Sequence, residues 1–429
     1  MTLLRFFLAA FLLPSSVAFA QYKVQLDPGA RSLSLSLTLP ASATEPIKLA
    51  TRGKDWGLRE QVSEVRCDGK ELFTDQSGSW IAPAGCAVVS WKIVPDAVPA
   101  EGIDVSTQRS LAIGDGPWIL LAEPTSLLRP HTVTEPMTIS AANEKTTLFG
   151  ASRVRPNAFR VPSASAAPEF YVLGNASISQ KTVGPVQVAY AADRPERVEK
   201  LGLETRHASA LAYLLKVVSF PGADTSADRS LLVVWIGVSE SSGVVGGAAG
   251  SRSFIANYAI GSPKNNGRNV ALTTTIIAHE QFHQLVEMVR SAFSRPQLAL
   301  WIGESLAHYY GLKAMSVSDD SPDARAVWAK FIDLQRPVEH GLRELNRRYD
   351  NGDQSVYHLF YSQGATFWHA LDSAITAATN GKQTLDDFVN EILRSQAAAD
   401  GALPDSFVEK LRSAAGASID QILSKYVGR

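Results

Sequence analysis

The chain has 429 residues, of which 41 are lysine or arginine and 42 aspartate or glutamate, so its charges nearly cancel. No block of one sign stands out, which argues against nucleic acid or an anionic membrane surface as a partner. The length allows two or three domains, each with a core of its own.

The chain opens with Arg5, an apolar run from Phe6 to Leu13, Pro14, and the small-residue ending Ala18-Phe19-Ala20. That order reads as a secretory signal peptide over 1–20; an uncleaved anchor is the rival, and the A-x-A ending argues against it. The apolar run is too short for a bilayer of roughly 30 Å, and no later segment offers about 18 uncharged apolar residues. The mature protein is expected to start near Gln21, to be periplasmic or secreted, and to span no membrane.

From 21 to 188, short runs such as "SLSLSLTLP", "AVVSWKIV", "WILLAE" and "FYVLGNASIS" alternate with Pro, Gly, Asp and Ser. This predicts a β-sandwich-like N-terminal domain. In "SLSLSLTL" every second residue is leucine, as a strand with one buried and one wet face requires. The only cysteines, Cys67 and Cys86, lie here. In an exported protein they read as one disulfide; two free buried thiols are the alternative, and no neighbouring histidine points to zinc. Asn175-Ala176-Ser177 is a glycosylation triplet of the kind that also arises by chance.

Near "AYAADRPERVEK" the pattern changes, and 189–315 forms the second predicted domain. It holds a helix in "LGLETRHASALAYLLKVVSF", a strong strand in "SLLVVWIGV", a glycine-rich stretch "SSGVVGGAAGSRS", a strand in "FIANYAIG", and a helix around "IIAHEQFHQLVEM". After Trp301 the chain reads as helix almost throughout, in "ESLAHYYGLKAM", "DARAVWAKFIDLQ", "SQGATFWHALDSAITAA", "TLDDFVNEILRSQ", "DSFVEKLRSAAG" and "SIDQILSKYV". Residues 316–429 are therefore assigned to a helical C-terminal domain. The expected fold class is α+β, multidomain.

His279, Glu280 and His283 form H-E-x-x-H. On a helix, positions four apart share a face, so both histidines can aim a nitrogen at one ion while Glu280 reaches toward a water beside it. Ala278, Phe282, Leu285 and Val289 fall on the opposite side as a core stripe, and the histidines share theirs with Glu287 and Arg290. An ordinary wet helix face with two histidines predicts the same arrangement. A structural zinc fits less well, since such sites are closed by four ligands rich in cysteine. A catalytic zinc takes a third ligand, and Glu304 in "LALWIGESLAHYYG" follows after a break at Arg295-Pro296. The plainer reading of Glu304 is a first-turn glutamate paired with His308.

These segments resemble the gluzincin metallopeptidases. "HEQFH" followed by "LWIGESLAHYY" is similar to the bacterial glycyl aminopeptidase family, and leucyl and alanyl aminopeptidases share the outline with a different spacing to the glutamate. "FPGADTSADRSLLVVWIGV" and "IDQILSKYVGR" extend the likeness from about residue 200 to the end. The resemblance implies a thermolysin-like catalytic domain with a small sheet and the H-E-x-x-H helix. It implies one zinc per chain on His279, His283 and Glu304, with Glu280 as general base toward a peptide or protein substrate.

It also places Tyr361, in "YSQGATFWHALD", where a tyrosine of the helical domain stabilises the tetrahedral intermediate, with Gln363 where lysine is usual. Read from its surroundings alone, Tyr361 is a helix-start tyrosine packed on the core. The family's G-G-x-E element, whose glutamate holds a free peptide N-terminus, aligns with "GGAAGSRS", so that Ala249 stands in the glutamate's place. Loss of that charge-assisted contact favours an endopeptidase over an aminopeptidase. It also leaves open an inactive binding or scaffold protein. The PDZ domain usual at the family's C terminus is not expected here. Glu287 is a candidate to support the ligands and His308 to support them or to face the substrate, while His131, His207, His340, His358 and His369 are assigned no role.

Overall fold

In a computed structural model of the protein, the described residues are 21–27, 31–39, 44–114, 118–219, 229–239, 246–260, 266–398 and 400–428. Residues 1–20, expected to form a signal peptide, lie outside them, as do Pro221-Gly222 and much of the glycine-rich stretch before Gly246. The architecture is mixed, with several sheets followed by a helical C-terminal region.

Period-two alternation builds the N-terminal part. Strand Ser32–Thr38 buries Leu33, Leu35 and Leu37 and turns Ser34 and Thr38 outward. It lies inside an eight-stranded sheet, antiparallel to Gln21–Asp27 and to Val88–Ile93. The leucines meet Ile119, Leu121, Tyr171 and Leu173 of a five-stranded sheet in one core, which a three-stranded sheet completes through Leu49, Ala82 and Leu128. Cys67 and Cys86 are joined as a disulfide across this core, with Cα atoms 5.9 Å apart. Two free thiols are thereby excluded.

A second five-stranded sheet carries the site. Val186–Ala192, Ser230–Ser239 and Ser253–Ile260 run parallel, and the short strand Gly247–Ala249 pairs antiparallel at the edge. Ser230–Ser239 is buried along nearly its whole length, as a parallel strand covered on both faces must be. Leu231, Val233 and Trp235 point to the helices, whereas Leu232, Val234 and Ile236 pack on Leu120 and Phe170 of the N-terminal sheets.

Two long helices cover the first face. The motif helix, Asn266–Ala292, buries the stripe Ala278, Phe282, Leu285 and Val289 to 1 % exposure or less. The glutamate helix, Leu300–Ser318, runs back against it. Gly311 permits the close approach, since a Cβ there would lie 2.6 Å from the Thr275 carbonyl oxygen and 3.1 Å from the His279 nitrogen. This helix starts a turn before Glu304, because Trp301 and Ile302 face the core and the Trp301 N–H is capped by Asn346 Oδ1 at 3.0 Å. Helix Leu342–Asp350, which the hydropathy pattern had not singled out, buries only Leu342 and Leu345. Among the described residues, no helix is long and apolar enough to cross a membrane.

Candidate metal centre and active site

The packing of the two long helices brings three side chains from distant stretches together. His279 and His283 are one turn apart, with Nε2 atoms 2.9 Å from each other. Glu304 answers from the facing helix, Oε2 at 3.5 Å from His279 Nε2 and Oε1 at 3.6 Å from His283 Nε2. The donor atoms all lie within 4.8 Å of one another, so the group could hold a metal ion. Burial would push the Glu304 carboxyl up, but charge and hydrogen bonds from His283 and His279 hold it well below the usual range. Burial pulls the His283 pKa down, but the charge and hydrogen bond of Glu304 together with the Glu280 charge outweigh it, so its pKa is raised. The plainer pairing of Glu304 with His308 does not form. His308 is buried, with neither ring nitrogen partnered among the described residues, its ring centroid 5.7 Å from His279 and 5.0 Å from Tyr361.

Glu280 points from the motif helix to the edge strand. Burial raises its pKa, against the pull of His279 and His283, and the Ala249 N–H donates to its carboxylate. Gly247 lies alongside, where a Cβ would come within 2.7 Å of Glu280 Cγ and 2.8 Å of Oε1. Ala249, the residue that departs from the G-G-x-E pattern, is therefore next to Glu280 and contributes its backbone to it.

Tyr361 enters from the helical region. Its hydroxyl donates to Glu304 Oε2 at 3.1 Å and lies 3.0 Å from the Tyr357 hydroxyl. The residue sits in a π-helical turn, Phe360–Gly364, rather than at an ordinary helix start. Such turns widen the backbone locally and re-aim a side chain. Gly364 lets that turn lie directly on Ser305 of the glutamate helix. Burial and the Glu304 charge push the Tyr361 hydroxyl far above its usual range, so it stays a donor. Gln363, by contrast, faces away and donates to the His340 carbonyl at 2.8 Å.

Two residues expected on the wet face behave differently. Glu287 accepts from Ser291 Oγ at 3.1 Å and borders the cleft, without a bond to His283. Arg290 is only 2 % exposed and donates to the carbonyls of Pro296, Ile392, Leu393 and Ser395. It is a clasp between the motif helix and the carboxyl end of helix Val389–Arg394, which pattern reasoning on one helix could not see.

Sequence reasoning also missed a buried polar chain beneath the motif. Tyr190 Oη is 2.8 Å from His207 Nδ1, and His207 Nε2 is 3.1 Å from Gln281 Oε1. Gln281 Nε2 donates to Gln284 Oε1 at 3.1 Å, and Gln284 Nε2 to the Gly250 carbonyl at 3.3 Å. Burial lowers His207 to about 4, against the hydrogen bond to Gln281, so it is neutral. The chain ties the helix bearing Glu280 to the turn after the edge strand. Two amides three apart on the motif's inner face, Gln281 and Gln284, were the one available signal.

The N-terminal part holds that turn from the other side. The Pro168 carbonyl accepts from the Ser251 N–H at 2.6 Å, the Phe170 N–H donates to Ser253 Oγ at 2.7 Å, and Glu169 Oε2 accepts from the Arg252 N–H at 3.1 Å. Glu169 is fully buried, and burial raises its carboxyl to about 8. Neighbouring Glu123 is instead matched by Arg129 at 2.9 Å and Arg52 at 3.2 Å. Between these walls opens a cleft of about 360 Å³, lined by Gly247, Ala249, Glu280, Glu304, Tyr357 and Tyr361 among others.

No protein-family model matches the sequence, and no curated protein matches it. Solved structures do. An aminopeptidase N family protein from Idiomarina loihiensis superposes with a TM-score of 0.67 at 14% identity, over 96% of this chain and 76% of that one. The chain shares its fold. Legionella pneumophila aminopeptidase A, solved with aspartic acid, gives a TM-score of 0.49 at 12% identity over 95% of this chain and 49% of its own.

Proposed function

We propose that the protein is a zinc-dependent metallopeptidase of the gluzincin type that hydrolyses bonds in peptide or protein substrates. The observation that carries this is the convergence of His279 Nε2, His283 Nε2 and the Glu304 carboxylate, with Glu280 and Tyr361 on either side. In this reading 189–315 is a thermolysin-like catalytic domain, 21–188 a β-rich domain, and 316–429 a helical domain that contributes Tyr361. Residues 1–20 are a signal peptide, and the mature chain is exported.

The donor set fits zinc. Two imidazole nitrogens 2.9 Å apart, with a carboxylate within 3.6 Å of both, bring three metal-ligand atom types to one point. Two histidines and a glutamate are also the ligand types of catalytic sites with one open position. His279, His283 and Glu304 would hold one ion per chain, and bound zinc would supply a Lewis acid that polarises a carbonyl and acidifies water. The residues supply the rest. Glu280, raised by burial and oriented by the Ala249 N–H, takes the proton of the attacking water and returns it to the leaving amine. Tyr361 donates to the oxygen that becomes negative.

With alanine at 249, the edge strand offers no carboxylate to a terminal ammonium, which favours internal cleavage over aminopeptidase action. The same residue is what supports the second reading, an inactive scaffold. Zinc analysis of purified protein, with digestion of a mixed peptide library followed by mass spectrometry, decides between them. About one zinc per chain and internal cuts that vanish in Glu280→Gln are expected. Release of single N-terminal residues would mean an aminopeptidase, and no zinc and no cuts would mean the scaffold.

A further inference from the structure

The catalytic cleft does not end at its own rim. Gln297, Leu298 and Leu300 line it on one side and, on their other side, line a larger groove of about 990 Å³. The far wall of that groove is helix Leu342–Asp350, with Arg343 and Arg347, and its floor is the turn at Gly401 and the end of the chain at Val427. By size the cleft alone stands near the lower limit of pockets that enclose small ligands, roughly 300 to 1,000 Å³, and the groove near the upper.

The groove is built into the same frame as the site. Trp301, in the first turn of the glutamate helix, donates its backbone N–H to Asn346 Oδ1 at 3.0 Å and its indole N–H to the Gly401 carbonyl at 2.8 Å. Gly401 adopts φ +70, a left-handed conformation that turns this carbonyl onto the indole. The shared wall is pinned from the opposite side by Arg290, donating to the Pro296 carbonyl at 2.6 Å. The shared stretch, Gln297 to Leu300, is therefore fixed at both ends, at Pro296 and at Trp301. Arg343 is engaged by Asp400 on the rim, while Arg347 stands exposed.

We infer that the groove continues the substrate site, so that the chain is built for extended polypeptides that fill it with several residues on one side of the bond cut. This rests on the proposed peptidase reading. Ala249 agrees with it, since the edge strand does not demand a chain end beside the metal group.

The test uses full-length, zinc-loaded Glu280→Gln protein, which binds without cutting, and fluorescein-labelled casein fragments of two lengths. The longer has about twelve residues and spans roughly 40 Å when extended; the shorter has about three and spans roughly 10 Å. Fluorescence anisotropy is expected to show at least a roughly tenfold tighter Kd for the longer fragments. Ala398→Trp and Arg347→Trp, both at exposed positions in the groove, are each expected to erase that advantage. Equal affinities, or an advantage that survives both substitutions, overturn the inference. Hydrolysis of the same fragments by the wild type is read alongside. A length advantage without cleavage sinks the peptidase reading and spares the groove, whereas cleavage without a length advantage does the reverse.

Discussion

The contact between Gly247 and Glu280 makes Gly247→Ala the sharpest probe of the site. An added Cβ would stand 2.7 Å from Glu280 Cγ, 2.8 Å from Oε1 and 2.9 Å from Cδ, where ordinary contacts begin at 3.4 Å. Something must move by about half an ångström or more. The strand is poorly placed to yield, because Gly247 is paired with Ala256 and the Gly250 carbonyl is held by Gln284. The Glu280 side chain therefore gives way and moves off the Ala249 backbone. With Glu280 as the proposed base, its displacement by a large fraction of an ångström is expected to cost on the order of tenfold to a hundredfold in kcat. Zinc content is expected to stay near one per chain, since the three atoms nearest the new methyl all belong to Glu280 and none to His279, His283 or Glu304. Steady-state kinetics on a quenched fluorescent peptide, with metal analysis of the same sample, reads both. A variant whose kcat stays within about threefold of wild type refutes the reasoning. So does one that loses its zinc, because the damage would then lie in the ligands.

Tyr361→Phe removes the donor beside Glu304, and kcat is expected to fall roughly a hundredfold to a thousandfold with a small change in KM; a rise in KM with kcat unchanged would assign Tyr361 to binding alone. Gln284→Leu leaves the Gly250 carbonyl and the Gln281 amide without their buried partner, and urea denaturation is expected to show a loss of about 1 to 3 kcal/mol. Glu169 carries its proton up to about pH 8 in the folded protein, while the unfolded chain releases it near 4.5. Its contribution is thus fully present below about pH 4.5 and is lost as pH rises toward 8, by a few kcal/mol in all. Glu169→Gln is expected to flatten that slope in chemical denaturation across pH 5 to 8, and an unchanged slope would show that Glu169 is not its source. Reduction of Cys67–Cys86, separated by 19 residues, is expected to cost about 3 kcal/mol of stability, read as a lower Tm in reductant.

Much of the fold is legible wherever one face of an element is buried. The alternating serines and leucines of Ser32–Thr38 and the stripe from Ala278 to Val289 each follow their own period, so local sequence suffices to orient them. Helix Leu342–Asp350 escaped because two buried leucines among charged residues give too weak a stripe to separate it from a loop. Arg290 and His207 escaped for another reason. Their partners, the carbonyls at 392 to 395 and Gln281, are remote in sequence, and a charged or polar residue reads as solvated until its partner is known.

The candidate site divides along the same line. By itself the sequence determined that His279 and His283 share a helix face with Glu280 displaced by one position, because that follows from 3.6 residues per turn. It determined as well that Ala249 carries no charge. Only the tertiary structure decided that Glu304 and Tyr361 arrive at those histidines, that Gly247 and the Ala249 N–H confine Glu280, and that a second groove opens beyond Leu298. Those are distances between elements far apart along the chain, set by how closely Gly311 and Gly364 let the helices pack, and no local period encodes them.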